Sequence, residues 1–465
     1  MDEAKLTDAL ASQVSSCLSE QEIPLSTTET STSVPPNEFL LTFTIDMRAT
    51  DLARVVIEVP VALVNQIFDS AARSQIPLIK AQGFSKDIPL VYIKKNYRVN
   101  LIEHVKEFLF KFCVISFLYQ ELQKRKINIA GDPRLIEIDL EPDRAAFFHF
   151  DITLSTPISF SEWKYFSFKA PRRKNYKDLD RQVETFIAEE TQKRSETDPT
   201  KIGLHDWIYL VITLLNYDGT PLTPSIKSSF WYRVGDEEIE SPLKEFFLGK
   251  SIGQTVISDC KGLQDYFSDV LNTNYLFQIH IVDSVPHGYF CFDLFKHHFR
   301  IKTIKDLHKK LIEAFSYRND ISQRRAMVEE SLVLLTSKHE LQVPNHLLLR
   351  QQKSILDTIK DNPDYNVYRR QADFQQRMQE LAYRQAREMV LVDQLSYKEN
   401  IHISHDDIKG YLNLTKRART REFLYFELPD SNKHGQEVPV SLELLRQTCL
   451  REKAVNYIIY YLTKK

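Results

Sequence analysis

The sequence predicts a multidomain α+β protein with a β-rich middle and an all-α C-terminal part. Its 465 residues exceed what one hydrophobic core organises. Two stretches, 39–154 and 203–286, carry strand signals. From Thr303 onward apolar residues recur at three- and four-residue steps, the period of a helix face. The chain therefore divides into a tail (1–38), an α+β module (39–168), a basic linker and helix (169–202), a β-rich module (203–286) and a helical module (287–465).

The tail is rich in Ser and Thr, sets acids from Asp2 to Glu38 against Lys5 alone, and ends after Pro35-Pro36. Too little of it is apolar to offset the entropy of ordering, so disorder is expected, and the lack of an apolar core argues against a signal peptide. Phe39, Leu41, Phe43 and Ile45, then Val55, Ile57 and Val59, alternate as in strands. Pro60 opens a helix with Val64, Ile67, Phe68 and Ala71 on one face. A loop from Gln75 to Lys95 leads to a second helix, Leu101 to Lys126. A turn at Asn128–Pro133 precedes strands near Leu135–Leu140 and Ala146–Leu154.

The linker holds Lys169, Arg172, Arg173, Lys174 and Lys177, then a helix with Leu179, Val183, Phe186 and Ile187 on one side. Asn175 and Asp178 have capping-box-like spacing. Trp207–Leu215 is a near-continuous apolar strand ending at Asp218-Gly219, and Phe230–Val234, Thr255–Ser258 and Leu276–Val282 are further strands. Everything after Thr303 reads as helix: Leu307, Leu311 and Phe315, then Val328, Leu332 and Leu335, a break at Pro344, and a long helix through Phe374, Met378, Leu381 and Met389. Ser404 and Asp407 form a capping box, and the last helix spans about Leu442–Leu462.

Net charge is −2 and the isoelectric point is near 6.7, so no global basic field points to nucleic acid. The apolar run Phe108–Tyr119 is broken by Lys111 and Ser116 and falls short of the ~20 residues of a spanning helix. Cys17, Cys113, Cys260, Cys291 and Cys449 are scattered, which suits reduced thiols and a cytoplasmic location. His297-His298 near Cys291, and His402 with His405, lack zinc-site spacing and read as surface residues. Neither Walker, GxGxxG nor GxSxG motifs occur, and no cofactor or metal is expected.

In its order of segments the chain resembles the trigger factors, ribosome-associated chaperones with a prolyl isomerase module. Gly83-Phe84-Ser85-Lys86-Asp87-Ile88-Pro89, with Tyr97 beyond, resembles their ribosome-docking loop, although Ser85 replaces an Arg and a second Gly is missing. Lys126-Ile-Asn-Ile-Ala-Gly-Asp-Pro133 resembles the turn after their second helix. Asp218-Gly219, Phe230, Gly235, Gly249 and Gly253 fall where an FK506-binding-protein-type domain has turn and strand residues, and Val343-Pro344 and Glu399–Ser404 where the helical module breaks.

The resemblance implies a chaperone that shields nascent or unfolded polypeptides without ATP, with Gly83, Phe84, Lys86, Pro89, Lys94 and Lys95 at the ribosome. Lys80, Lys86, Lys94, Lys95 and Arg98 against Asp87 suit phosphate contact, and equally a solvated loop. An isomerase needs an apolar pocket that favours the twisted amide. Tyr209, Phe230, Trp231, Leu243, Tyr266 and Phe277 are its candidate walls, with core packing as the alternative. Glu240, Ser241, Pro242 and Leu243 stand where the family has an apolar segment, so an eroded pocket is expected. Tyr365, Tyr368, Phe374, Phe423 and Phe426 are candidate client contacts. The alternatives are an active prolyl isomerase and an off-ribosome chaperone for a dedicated client. No membrane or sequence-specific nucleic-acid partner is expected.

Overall fold

A computed structural model describes residues 40–78, 88–155, 159–160, 162–171, 178–216, 218–222, 226–235, 242–318, 320–360, 362–429, 431–433 and 436–464. The first sheet comprises β1 (Thr42–Met47), β2 (Leu52–Val59), β3 (Arg134–Asp139) and β4 (Ala146–Thr153), all antiparallel in the order β1-β2-β4-β3. The alternation in β2 sets its register: Ala53, Val55, Ile57 and Val59 point into the core. Helix α1 (Val61–Gln75) starts behind Pro60 and lays Val64, Ile67, Phe68 and Ala71 against that face.

Where a loop was expected up to Lys95, Pro89 opens a short helix, α2 (Leu90–Asn96), with Ile93 buried. Helices α3 (Arg98–Leu109) and α4 (Ile115–Lys124) run on through a single π-helical stretch, Phe110–Val114. Lys126 takes a left-handed φ of 55°, so the Ile127 N–H reaches back to Leu122 O at 2.9 Å and stops the helix. The turn that follows is tied to β4, with Ala130 N–H donating to Thr153 O and Ser155 N–H to Asn128 O.

The second sheet has β5 (Trp207–Leu215), β6 (Ser228–Arg233), β7 (Thr255–Ser258) and β8 (Leu276–Val285). Helices α5 (Leu179–Glu196), α6 (Pro242–Phe247) and α7 (Lys261–Phe267) precede or flank its strands. Strand β5 is covered on both faces, which explains its unbroken apolar run. One face carries Ile208, Leu210, Ile212 and Phe277 into a core shared with the first module: the Phe108 ring lies 5.4 Å from Phe267 and 4.8 Å from Tyr275, and His104 hydrogen-bonds the Tyr275 hydroxyl at 3.0 Å. The other face carries Trp207, Trp231 and Val285 against the helical region.

That region contains α8 (Phe292–Phe299), α9 (Ile304–Phe315), α10 (Gln323–Lys338), α11 (Asn345–Lys360), α12 (Tyr365–Tyr368), α13 (Phe374–Lys398), α14 (His405–Leu414), α15 (Ala418–Arg421) and α16 (Leu442–Thr463). The predicted capping box is present in full at Ser404 and Asp407. Asp178 sits in the cap position of α5 without a side-chain cap bond, and Asn175 lies outside the described residues. The region is not wholly helical. Tyr317–Arg318 pairs with Ile321–Ser322, and β9 (Val440–Ser441) closes the second sheet beside β6, giving β9-β6-β5-β8-β7. Two-residue strands have no periodicity to betray them.

His298 is not a surface residue. It is buried beneath Gly410, its Nε2 accepts from Asn456 Nδ2 at 3.1 Å, and burial pulls its pKa down to about 3. His405 also has a partner, Asp283 at 3.0 Å. Cys113, Cys260, Cys291 and Cys449 are free thiols. Among the described residues no group of His, Cys, Asp or Glu could hold a metal, and no helix is long and apolar enough to cross a membrane.

Candidate client-binding surface

Helices α11 and α13 form an antiparallel hairpin, with Gln351 opposite Gln385 at 2.8 Å. Its base is anchored on the first module. Leu347 and Val390 pack on Ala130, Arg350 donates to Asp132 O at 2.6 Å, and His346 meets Thr153 Oγ1 at 2.7 Å. Gly131, at φ 76°, permits this closeness: a Cβ there would collide with Leu347. Further out, Ile355, Met378 and Ala382 make a small core of their own, drawn from these two helices alone. The outer half of the hairpin is therefore a self-supporting arm.

Several apolar groups along the hairpin are without cover. Leu349, near the base, is 66% exposed; Val367 and Tyr368, at the bend, are 63% and 39% exposed, and Tyr383 of α13 is exposed between them. Charged neighbours Asp364, Arg369, Arg370 and Asp373 surround the bend. At the base, a groove of about 940 Å³ separates the hairpin from the first module; Leu341, Val343, Pro344, Val390 and Leu154 share its wall with Asp51, Lys338, Glu340, Asn345, Arg387 and Gln394. Such a rimmed apolar surface can hold an extended chain by burial rather than by chemistry.

The sequence-derived client residues divide. Tyr365 and Tyr368 stand at the bend between α11 and α13, and Phe374 half-covers the arm's small core. Phe423 is only 1% exposed, its ring enclosed by Phe295 at 5.3 Å and Phe299 at 5.0 Å, so it offers no client surface. Phe426 is half-buried. Missing from the sequence reading were Leu349, Val367 and the groove wall. The signal for Leu349 was the run Leu347-Leu348-Leu349, since three consecutive helical positions span about 200° and cannot all face one core.

The six isomerase-wall candidates do not meet. Phe230 and Trp231 are neighbours on β6 and so point to opposite faces of the sheet. Phe230, Leu243, Tyr266 and Phe277 belong to the core shared with the first module, while Trp231 stacks on Tyr209 at 5.4 Å in the other layer. Core packing accounts for all six. Glu240 and Ser241 lie outside the described residues.

Of the docking-loop residues, Gly83, Phe84 and Lys86 lie outside the described residues, and Pro89 caps α2. Lys94 pairs with Asp69, Lys95 is exposed, and Arg98 pairs with Glu141. The same surface carries two uncovered apolar residues, Val91 and Val99.

No protein-family model matches the chain. Among characterised proteins it is similar to the trigger factors of Rickettsia canadensis (21% identical over 395 residues), Rickettsia conorii (21% over 391) and Rickettsia rickettsii (22% over 391). Each alignment covers 82% of this chain and 84% of the relative. A solved structure of the trigger factor chaperone, 15% identical, aligns over 90% of this chain and 99% of its own. The TM-score of that alignment is 0.34. On these sequence alignments the chain is a divergent relative of trigger factor.

Proposed function

We propose that the chain is an ATP-independent chaperone that shields unfolded polypeptide on the outer α11–α13 arm and along the groove at its base. The observation that carries this reading is the uncovered apolar set Leu349, Tyr383, Val367 and Tyr368, spaced from base to bend of a hairpin whose own core needs none of them. Tyr365 and Phe374 complete the contact surface at the bend. Solvent-exposed apolar residues on a self-supporting hairpin cost nothing in fold stability and gain when a client covers them. The direct test is suppression of thermal or dilution-induced aggregation of an unfolded client, without nucleotide. Protection at near-equimolar protein supports the reading; unchanged light scattering at excess protein refutes it.

Contact with the ribosome belongs to the same proposal, through Gly83, Phe84, Lys86, Pro89, Lys94 and Lys95. Phosphate contacts would make it salt-dependent. One observation favours a second reading, a chaperone working away from the ribosome: Lys94 and Arg98 already have carboxylate partners in Asp69 and Glu141. Co-sedimentation with vacant ribosomes across a salt series separates the two. Salt-sensitive binding that weakens in a Lys86→Glu, Lys95→Glu variant supports the first; no binding at low salt supports the second.

A further inference from the structure

A cavity of about 450 Å³ lies between the second sheet and the segment that joins α14 to β9, within the ~300–1,000 Å³ range of ligand sites. Its walls combine two kinds of group. Arg233, Arg325, Lys416 and Arg421 supply positive charge against Glu422 and Glu427. Trp207, Tyr425, Phe426, Leu424 and Leu428 supply apolar and aromatic surface.

The walls are built rather than incidental. Tyr425 and Phe426 donate both backbone N–H groups to the carboxylate of Glu452, which is fully buried in α16. The Tyr411 hydroxyl donates to Phe426 O at 3.1 Å, and the Tyr425 hydroxyl to Glu388 at 2.7 Å. The aromatic wall is thus pinned from behind.

The cations are incompletely used. Lys416 is only 7% exposed, and among the described residues one of its three donors is given, to Tyr289 O at 3.2 Å. A buried ammonium without a bonded carboxylate is costly, and burial pulls its pKa down to about 7. Arg421 gives Nε to Thr415 O at 2.7 Å and, among the described residues, keeps its terminal nitrogens, while Arg233 meets Glu437 at 3.3 Å and Arg325 meets Glu329 at 3.4 Å. Guanidinium forks match the geometry of a carboxylate, and aromatic walls match an apolar body attached to it.

We propose that this cavity binds a carboxylate carried on an apolar body, whether the C-terminal carboxylate of a polypeptide ending in an aromatic or large aliphatic residue or that of a small aromatic acid. The site is separate from the arm and does not depend on the chaperone reading. A protein that fails to suppress aggregation can still bind such an end, and one that suppresses aggregation can fail to.

The experiment is fluorescence anisotropy with an N-terminally labelled peptide ending in Leu-Phe, as free acid and as amide, on the full chain. The free acid is expected to bind about tenfold tighter than the amide. Lys416→Met replaces a buried charge by an apolar side chain of similar length, so the fold is expected to survive. That variant, and independently Arg421→Gln at an exposed position, should each weaken the free acid about tenfold and leave the amide unchanged. Competition by 3-phenylpropionate at concentrations matching the peptide supports the carboxylate site and assigns its occupant to small acids. Equal affinity for acid and amide, no binding of either, wild-type affinity in both variants, or inorganic phosphate competing as well as the peptide would each overturn the proposal.

Discussion

Arg417→Met should unseat the linker helix from the helical module. The Glu190 side chain in α5, 2% exposed, accepts from Arg417 Nε at 3.0 Å and Nη2 at 2.9 Å, from Lys193 Nζ at 2.8 Å and from Phe290 N–H at 2.6 Å. Burial alone would raise this carboxyl's pKa, but the bonds from Arg417 and Lys193 outweigh it and hold the group below its usual value. Removing the guanidinium takes away half of those bonds and leaves a buried carboxylate short of charge compensation. Breaking one side of a buried pair costs about 3–5 kcal/mol, so a loss of that order is expected at pH 7. The linkage has a definite sign. A depressed carboxyl adds stability above its unfolded pKa of about 4.3, and that stability is lost as pH falls through the lower folded value. The variant's deficit should therefore be full at pH 7 and shrink below pH 4. Urea titrations followed by tryptophan fluorescence at both pH values give the comparison. A deficit under about 1 kcal/mol at pH 7, or one that persists unchanged at low pH, would refute the assigned charge network.

Three further outcomes follow from the same structure. Glu452 is held at about pKa 7 by burial, so ionising it penalises the fold progressively between the unfolded pKa of about 4.3 and pH 7. Glu452→Gln should accordingly be more stable than the wild type at pH 8 and gain nothing at pH 4 in paired thermal melts. Gly131→Ala should cost roughly 1–3 kcal/mol, because φ 76° and Leu347 both oppose a Cβ, and should speed hydrogen exchange at the hairpin base. Met378→Ala should cost about 2–5 kcal/mol locally, read as faster exchange along the arm while β5 and β8 keep their protection.

The parts of the fold legible in the sequence are those with a local period. Alternation in β2, the apolar face of α1 and the Ser404–Asp407 box each fix geometry within a few residues, and each is present. The parts that escaped are set by distant partners. Val440 finds Trp231 across some two hundred positions, and His104 finds Tyr275 in another module. Neither pairing leaves a mark in its own neighbourhood. The isomerase wall illustrates a different failure. Strand parity alone separates Phe230 from Trp231, so the sequence of β6 itself implies their division between two layers. The client surface was half legible. Tyr365, Tyr368 and Phe374 gather at the bend, but aromatic composition could not distinguish them from Phe423, which a neighbouring core encloses.

The central claim is that unfolded chains are held on the α11–α13 arm. Photo-crosslinking tests it most directly, with a photoreactive residue placed in turn at Val367, at Tyr368 and at Ile257, an exposed residue on the edge strand of the second sheet. The account predicts strong crosslinks to an unfolded client from positions 367 and 368, and background yield from 257. Equal yields at the three positions, or crosslinks from 257 alone, would contradict it.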